Sequence, residues 1–282
     1  MTDVMGVLDP ALGVARQEVI SLGLSGARVL RMSDAEGRPV AVVKLVDNAI
    51  RHLADELQSE AVRLEWLGGL GFPVPEVVGA GVLGGESWLA TRALPGRPAS
   101  DPWPTGERGR VVDLLAHAAR ELHVPVADDA HFERSVSSVL GEVRGRVESG
   151  LVDRSWAIAG RQGPPAAVVL AELESMARDL GDGDLVVTHG DFCLPNVLIA
   201  GSGVAGFVDV GRAGLADAHS DLVDMVRSLR SRMNPQFGPE WAERFLDVYG
   251  RDGIEPQRLR MHDLLESFYW PMPNHKTPAP ER

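Results

Sequence analysis

The segment Thr188-His189-Gly190-Asp191-Phe192-Cys193-Leu194-Pro195-Asn196 holds the densest chemistry in the chain. Asp191 and Asn196 stand five residues apart across a Pro-bearing loop. Asp209 follows thirteen residues later, at the end of an apolar run and just before Gly211-Arg212. Two carboxylates and an amide oxygen gathered at the mouth of a hairpin suit Mg2+, which prefers hard oxygen ligands and keeps several waters. Transfer of a phosphoryl group needs such a metal to offset phosphate charge, and a carboxylate turned toward the attacking hydroxyl. Taken singly, each of these residues is best explained as an Asx-turn or cap, the commonest use of loop Asp and Asn. Taken together, they point to a catalytic base beside a magnesium site.

The N-terminal half supplies an independent match. Lys44 interrupts the apolar run Val42-Val43-Lys44-Leu45-Val46, where an edge lysine snorkelling to water would be the ordinary explanation. Glu60 follows on the next helix, and a strand lysine paired with a helix glutamate is the device with which kinases hold the α- and β-phosphates. Glu56 and Glu65 are rival partners on that helix; Glu60 shares the register of Ala61 and Leu64 better than Glu65 does. Neither common phosphate-binding motif occurs, but a Ser-Gly turn at Gly23-Leu24-Ser25-Gly26 could cover phosphates with backbone N–H groups. Cys193 near His189 lacks a third orienting group and is expected to pack rather than attack. His52, His117 and His123 lack the spacings that mark zinc.

The elements that must position these residues can be read from periodicity. Strands are expected at 27–32, 40–46, 77–81 and 87–92, with a helix from 53 to 67 between the second and third. Leu94-Pro95-Gly96-Arg97-Pro98 opens a Pro-rich junction, the expected hinge between lobes. Beyond it the pattern turns helical at 108–122, 171–180, 221–230, 241–249 and 259–270. One compact β segment, at 185–188, 196–200 and 204–210, lies among these helices. The expected fold is therefore α+β and two-lobed. Residues 1–93 form a small antiparallel lobe with one helix, and 94–270 a larger, mostly helical lobe containing the hairpin. A disordered tail is expected at 271–282.

Composition narrows the function. The formal net charge of −12, without a basic block, argues against a nucleic-acid partner and fits a cationic small molecule. The single cysteine cannot form an intrachain disulfide, and no signal peptide or membrane-length apolar run is visible, so a cytoplasmic protein is expected. A monomer or weak dimer is expected.

The run Val186-Val187-Thr188-His189-Gly190-Asp191 through Ile199, followed by Gly206-Phe207-Val208-Asp209-Val210-Gly211-Arg212, resembles the aminoglycoside phosphotransferases. The likeness is to the 3'- and 3''-O-phosphotransferase branches, whose fold is protein-kinase-like. It extends from about Gly23 to Phe268 and includes the Glu60-x-x-Arg63-Leu64-x-Trp66-Leu67 helix and Phe72-Pro73-Val74-Pro75-Glu76. The resemblance implies that Asp191 faces the substrate hydroxyl and that Asn196 and Asp209 hold Mg2+. It implies that Lys44, positioned by Glu60, meets the phosphates of ATP (GTP being the alternative) and that Ser25 lies in the nucleotide loop. Backbone groups of Thr91 and Ala93 would meet the adenine edge. Arg212 is implied as a catalytic-site arginine, and Asp153, Arg227 and Glu266 as substrate-binding. His189 and Asp221 would brace the catalytic loop. The implied reaction is γ-phosphate transfer to a hydroxyl of an aminoglycoside or aminocyclitol antibiotic, a resistance activity. The alternatives are a kinase of another small hydroxylated compound and an inactive nucleotide-binding sensor. One departure bears on substrate. After Asp153 the family commonly continues with acids, whereas Arg154-Ser155-Trp156-Ala157-Ile158-Ala159-Gly160-Arg161 has none.

Overall fold

The computed structural model describes residues 4, 6, 8, 10–22, 27–126, 132–150, 152, 157, 158, 161, 162 and 164–269. Ser25, Asp153 and the expected tail at 271–282 lie outside these residues. By compactness the chain divides into two units, Met1–Ala118 with His189–Ala213, and Ala119–Thr188 with Gly214–Arg282. The expected boundary at 93/94 follows the change from strands to helices. Compactness instead groups the 189–213 segment with the N-terminal strands.

In the first unit, β1 (Arg16–Leu22), β2 (Arg28–Ser33), β3 (Pro39–Asp47), β4 (Val77–Leu83) and β5 (Glu86–Arg92) form an antiparallel sheet in the order β1-β2-β3-β5-β4. Register sorts the side chains of β3 between two faces. Ala41, Val43 and Leu45 join Leu30, Met32, Trp88 and Ala90 in a buried cluster closed by Val4 and Leu8. Lys44, opposite Leu89, points to the other face, against which helix α1 (Arg51–Gly69) packs. Leu53, Leu57, Leu64 and Leu67 bury one stripe of α1, and Glu60 is the one acid within that stripe, 5% exposed. The helix stops at a Schellman-type end: Gly71 takes φ +88°, Gly71 N–H donates to Gly68 O and Phe72 N–H to Leu67 O.

A second sheet of this unit contains β6 (Arg97–Pro98), β10 (Val197–Ala200) and β11 (Gly203–Phe207), with β10 in the middle. The other unit carries two short pairs. One is β7 (Ala157–Ile158) with β8 (Arg161–Gln162), the other β9 (Leu185–Thr188) with β12 (Gly214–Asp217). Helix α2 spans Arg108–Leu122. Helices α3 (Val136–Glu148), α4 (Ala166–Leu180) and α7 (Pro256–Glu266) share a core of Val139, Val143, Val169, Leu173, Met261 and Leu265. Helices α5 (His219–Arg230) and α6 (Pro239–Tyr249) pack on each other, and α5 also packs on α7.

Two expectations are corrected. The strand expected to run to Val210 ends at Phe207, leaving Asp209 in irregular backbone just before a turn. The helix expected to reach Trp270 closes at Glu266, where a turn begins. Among the elements that periodicity does not announce are strand β1 and helix α3. Strand β1 is an edge strand whose Val19 and Ile20 are exposed, so it carries no buried alternation to read. Helix α3 buries Val136, Val139, Leu140 and Val143 at helical spacing, but its valines and two glycines are weak helix formers.

Candidate active site

The catalytic segment begins where β9 ends. His189 is almost fully buried, and its ring is fixed from both nitrogens. Nε2–H donates to the Val208 carbonyl at 3.1 Å, and Nδ1 accepts from the Asp191 N–H at 3.3 Å. These partners assign the tautomer, and they tie the backbone of Asp191 to the strand leading into Asp209. Phe192 and Phe207 pack edge-on against the same ring, at 6.0 and 6.1 Å between centroids. Gly190 takes φ +78°, and a Cβ there would lie 2.1 Å from the Arg212 carbonyl oxygen. Only glycine fits His-Gly-Asp here.

Asp191 and Asn196 are brought together as expected. The Asn196 side-chain amide donates to the Asp191 carboxylate at 2.9 Å and to its carbonyl at 3.0 Å. A turn links them, with Cys193 N–H on Asp191 O and Asn196 N–H on Cys193 O. Cys193 is buried, as a packing residue would be. Val208 N–H donates to Asn196 O at 3.0 Å, placing the segment at Asp209 beside Asn196. Since Asn196 uses its nitrogen toward Asp191, its side-chain oxygen is the atom suited to a cation.

Lys44 settles its own partner. Its ammonium donates to both Glu60 carboxylate oxygens, at 2.7 and 2.8 Å, and to Asp209 Oδ1 at 2.8 Å. Burial works against the charge on Lys44, but Glu60 and Asp209 outweigh it and raise the ammonium's pKa. The Lys44 charge holds the Asp209 carboxyl below its ordinary range. Burial pushes the Glu60 carboxyl up, with Lys44 pulling the other way. Asp209 has φ +62°, the sole positive φ at a non-glycine among the described residues. Such a conformation persists only where the surroundings enforce it. It turns the carboxylate toward Lys44 with its side chain more than half exposed.

Asn196 and Asp209 fit Mg2+ in donor chemistry: two hard oxygens from protein, with phosphate and water completing the set. Among the described residues no cluster of three or more His, Cys, Asp or Glu is arranged for a metal. Thr91 pairs with Val42 and with Val77, and the Ala93 N–H is committed to the Val40 carbonyl at 3.1 Å. An adenine contact to that N–H would therefore compete with an existing strand bond. Arg227, on α5, donates to the carbonyl and carboxylate of Asp263, both at 3.0 Å, and Glu266 is buried on α7. Both lie in the second unit.

The sequence reading missed two features. On α1, Arg63 reaches the carbonyl of Ala213, a residue legible only as the arginine one turn beyond Glu60. His123 bridges Tyr249, 2.9 Å from Nδ1, and the fully buried Asp221, 3.2 Å from Nε2. Spacing gives no sign of the latter, because its members lie about a hundred residues apart.

A strand lysine, a helix glutamate, a carboxylate–amide loop and a second carboxylate after a hairpin define a phosphoryl-transfer site of protein-kinase-like design. Comparison with known proteins agrees. The phosphotransferase enzyme family model matches residues 16–262. An aminoglycoside 3'-phosphotransferase of Streptomyces fradiae is 38% identical over 253 residues, 89% of this chain and 94% of its own length. The crystal structure of an aminoglycoside-3'-phosphotransferase of type VIII superposes with a TM-score of 0.77 at 38% identity, covering 91% of this chain and 94% of the other. An aminoglycoside phosphotransferase of the 3'' class from Streptomyces rimosus, in complex with ADP and streptomycin, gives a TM-score of 0.71 at 26% identity, covering 96% of this chain and all of the other. The chain belongs to the phosphotransferase enzyme family, and within it to the aminoglycoside phosphotransferases. It has their protein-kinase-like fold. No helix among the described residues is long and apolar enough to cross a membrane.

Proposed function

We propose that this chain transfers the γ-phosphate of ATP to a hydroxyl of an aminoglycoside or aminocyclitol. The observation that carries the proposal is Lys44 held between Glu60 and Asp209, within the same unit as the Asp191–Asn196 loop. The names of the relatives supply the substrate class, and the net charge of −12 suits a cationic acceptor. Asp191 orients the acceptor hydroxyl and takes its proton. Lys44, kept in place by Glu60, receives the phosphates. Asn196 and Asp209 would hold Mg2+, which supplies positive charge to the transferring group. Thr91 and Ala93 are proposed to read the base, and Ser25 to close over the phosphates. Arg212 would lie near the reacting groups, and Asp153, Arg227 and Glu266 near the acceptor. The acid-free run 154–161 favours an acceptor with fewer ammonium groups, a guanidino aminocyclitol rather than a polyamine-rich sugar.

A mass-shift screen decides the matter. Protein incubated with ATP, Mg2+ and a panel of aminoglycosides and aminocyclitols should add ~80 Da, one phosphoryl group, to at least one of them. The same screen without protein should add nothing. A panel that returns unmodified would overturn the substrate class, while ATP turnover with other small polyols would retain the kinase.

A further inference from the structure

Arg63 stands one turn beyond Glu60 on α1, yet it reaches a backbone atom. Nε donates to the Ala213 carbonyl at 2.6 Å. Nη1 donates to the Ser59 carbonyl at 3.4 Å and to the Ser59 hydroxyl, so the guanidinium is steadied by its own helix. A charged donor on a carbonyl makes a stronger bond than a neutral one, and the planar fork fixes its direction.

Ala213 is fully buried, and its N–H closes a turn on Val210 O at 2.9 Å. That turn starts one residue after Asp209. Within it, Gly211 runs along α1: a Cβ there would lie 3.6 Å from Glu56 O and 3.7 Å from Glu60 Cβ. The next residue, Arg212, has its carbonyl directly under Gly190, the neighbour of Asp191. The short segment from Val210 to Ala213 therefore touches the helix that carries Glu60 on one side and the catalytic loop on the other. Arg63 fastens it to the helix. Asp209, immediately before this segment, holds a left-handed conformation that its surroundings must impose.

We propose that Arg63 is a positioning residue: by gripping the Ala213 carbonyl it sets the turn that aims Asp209 and supports Gly190 beneath Asp191. The inference rests on the phosphotransferase function proposed above. Arg63 acts through the backbone it grips at Ala213, steadied by Ser59. Its removal should disturb turnover and metal affinity more than acceptor binding, as loss of an outer-shell partner does.

The test compares wild type, Arg63→Ala, Arg63→Gln and Arg63→Lys by steady-state kinetics, thermal unfolding and Mn2+ titration with a non-hydrolysable ATP analogue bound. Arg63→Ala should lower kcat about 10- to 100-fold and weaken Mn2+ about tenfold, with acceptor KM held within about threefold. Arg63→Lys, whose ammonium can reach the same carbonyl, should recover most of both losses. Should the alanine variant fail to fold, Arg63→Gln carries the same comparison. Mn2+ affinity and kcat within twofold of wild type would overturn the proposal. So would a kcat loss that only tracks the unfolded fraction while Mn2+ affinity stays put. A wild type inactive on every acceptor would sink the phosphotransferase function, and the Mn2+ titration would still decide the role of Arg63.

Discussion

Lys44 shows what one side chain can and cannot announce. A lysine in an apolar strand is anomalous in the sequence alone, and its pairing with an acid on the following helix follows from chemistry. Which acid is a matter of register: Glu60 falls in the buried stripe of α1 with Leu57 and Leu64, whereas Glu56 and Glu65 lie on the exposed side. The third partner, Asp209, is not foreseeable, because the bond spans 165 residues and depends on a left-handed residue where the apolar pattern predicts strand. The pair has an energetic signature. Lys44→Met leaves the buried Glu60 carboxylate uncompensated and should cost about 3 kcal/mol. Lys44→Met combined with Glu60→Gln should cost distinctly less, since no charge is stranded. Urea unfolding of both variants checks this, and a double variant no more stable than the single would refute it.

At the scale of elements, legibility tracked amphipathicity. Helix α1 buries one stripe, and strands β2 and β3 alternate buried with more accessible positions, so their periods are plain in the sequence. Strand β1 and helix α3 are not plain, for want of a buried face in one case and of good helix formers in the other. What docks α7 was also hidden. Asp217, at the end of β12, is 4% exposed and meets His219 Nδ1 at 2.6 Å, Arg258 Nη1 at 3.0 Å and His262 Nε2 at 3.4 Å. His219 Nε2 in turn accepts the Glu255 N–H that opens α7. Burial opposes ionisation of Asp217, but His219 and His262 outweigh it and hold its pKa below the ordinary 3.8. A carboxyl depressed in the folded state contributes its full stability above the unfolded pKa. It loses that contribution as pH falls from there through the folded value. The melting temperature should therefore drop on acidification below about pH 4, the ordinary carboxylate range. Asp217→Asn should flatten that part of the profile while lowering its plateau. An unchanged acid slope in the variant would show that other carboxylates govern it.

For the molecule as a whole, the α+β, protein-kinase-like fold was readable from the order of strands, Pro-rich junction and helices. The compact division was not. Strands β10 and β11 group with the N-terminal strands through contacts such as Phe207 N–H to Pro73 O and the β6–β10 pairing, between segments about a hundred residues or more apart. That grouping puts Lys44, Glu60, Asp191, Asn196 and Asp209 in one unit, as a single phosphoryl-transfer centre requires. The most direct test of that centre is single-turnover transfer from ATP to an accepted hydroxyl by wild type and Asp191→Asn. The substitution keeps the size of the side chain and removes the proton acceptor. Transfer should slow by about 10^2- to 10^4-fold, the usual contribution of a general base, with ATP affinity within about threefold of wild type. An Asp191→Asn protein that transfers phosphate within tenfold of wild type would contradict the assignment of this loop as the catalytic one.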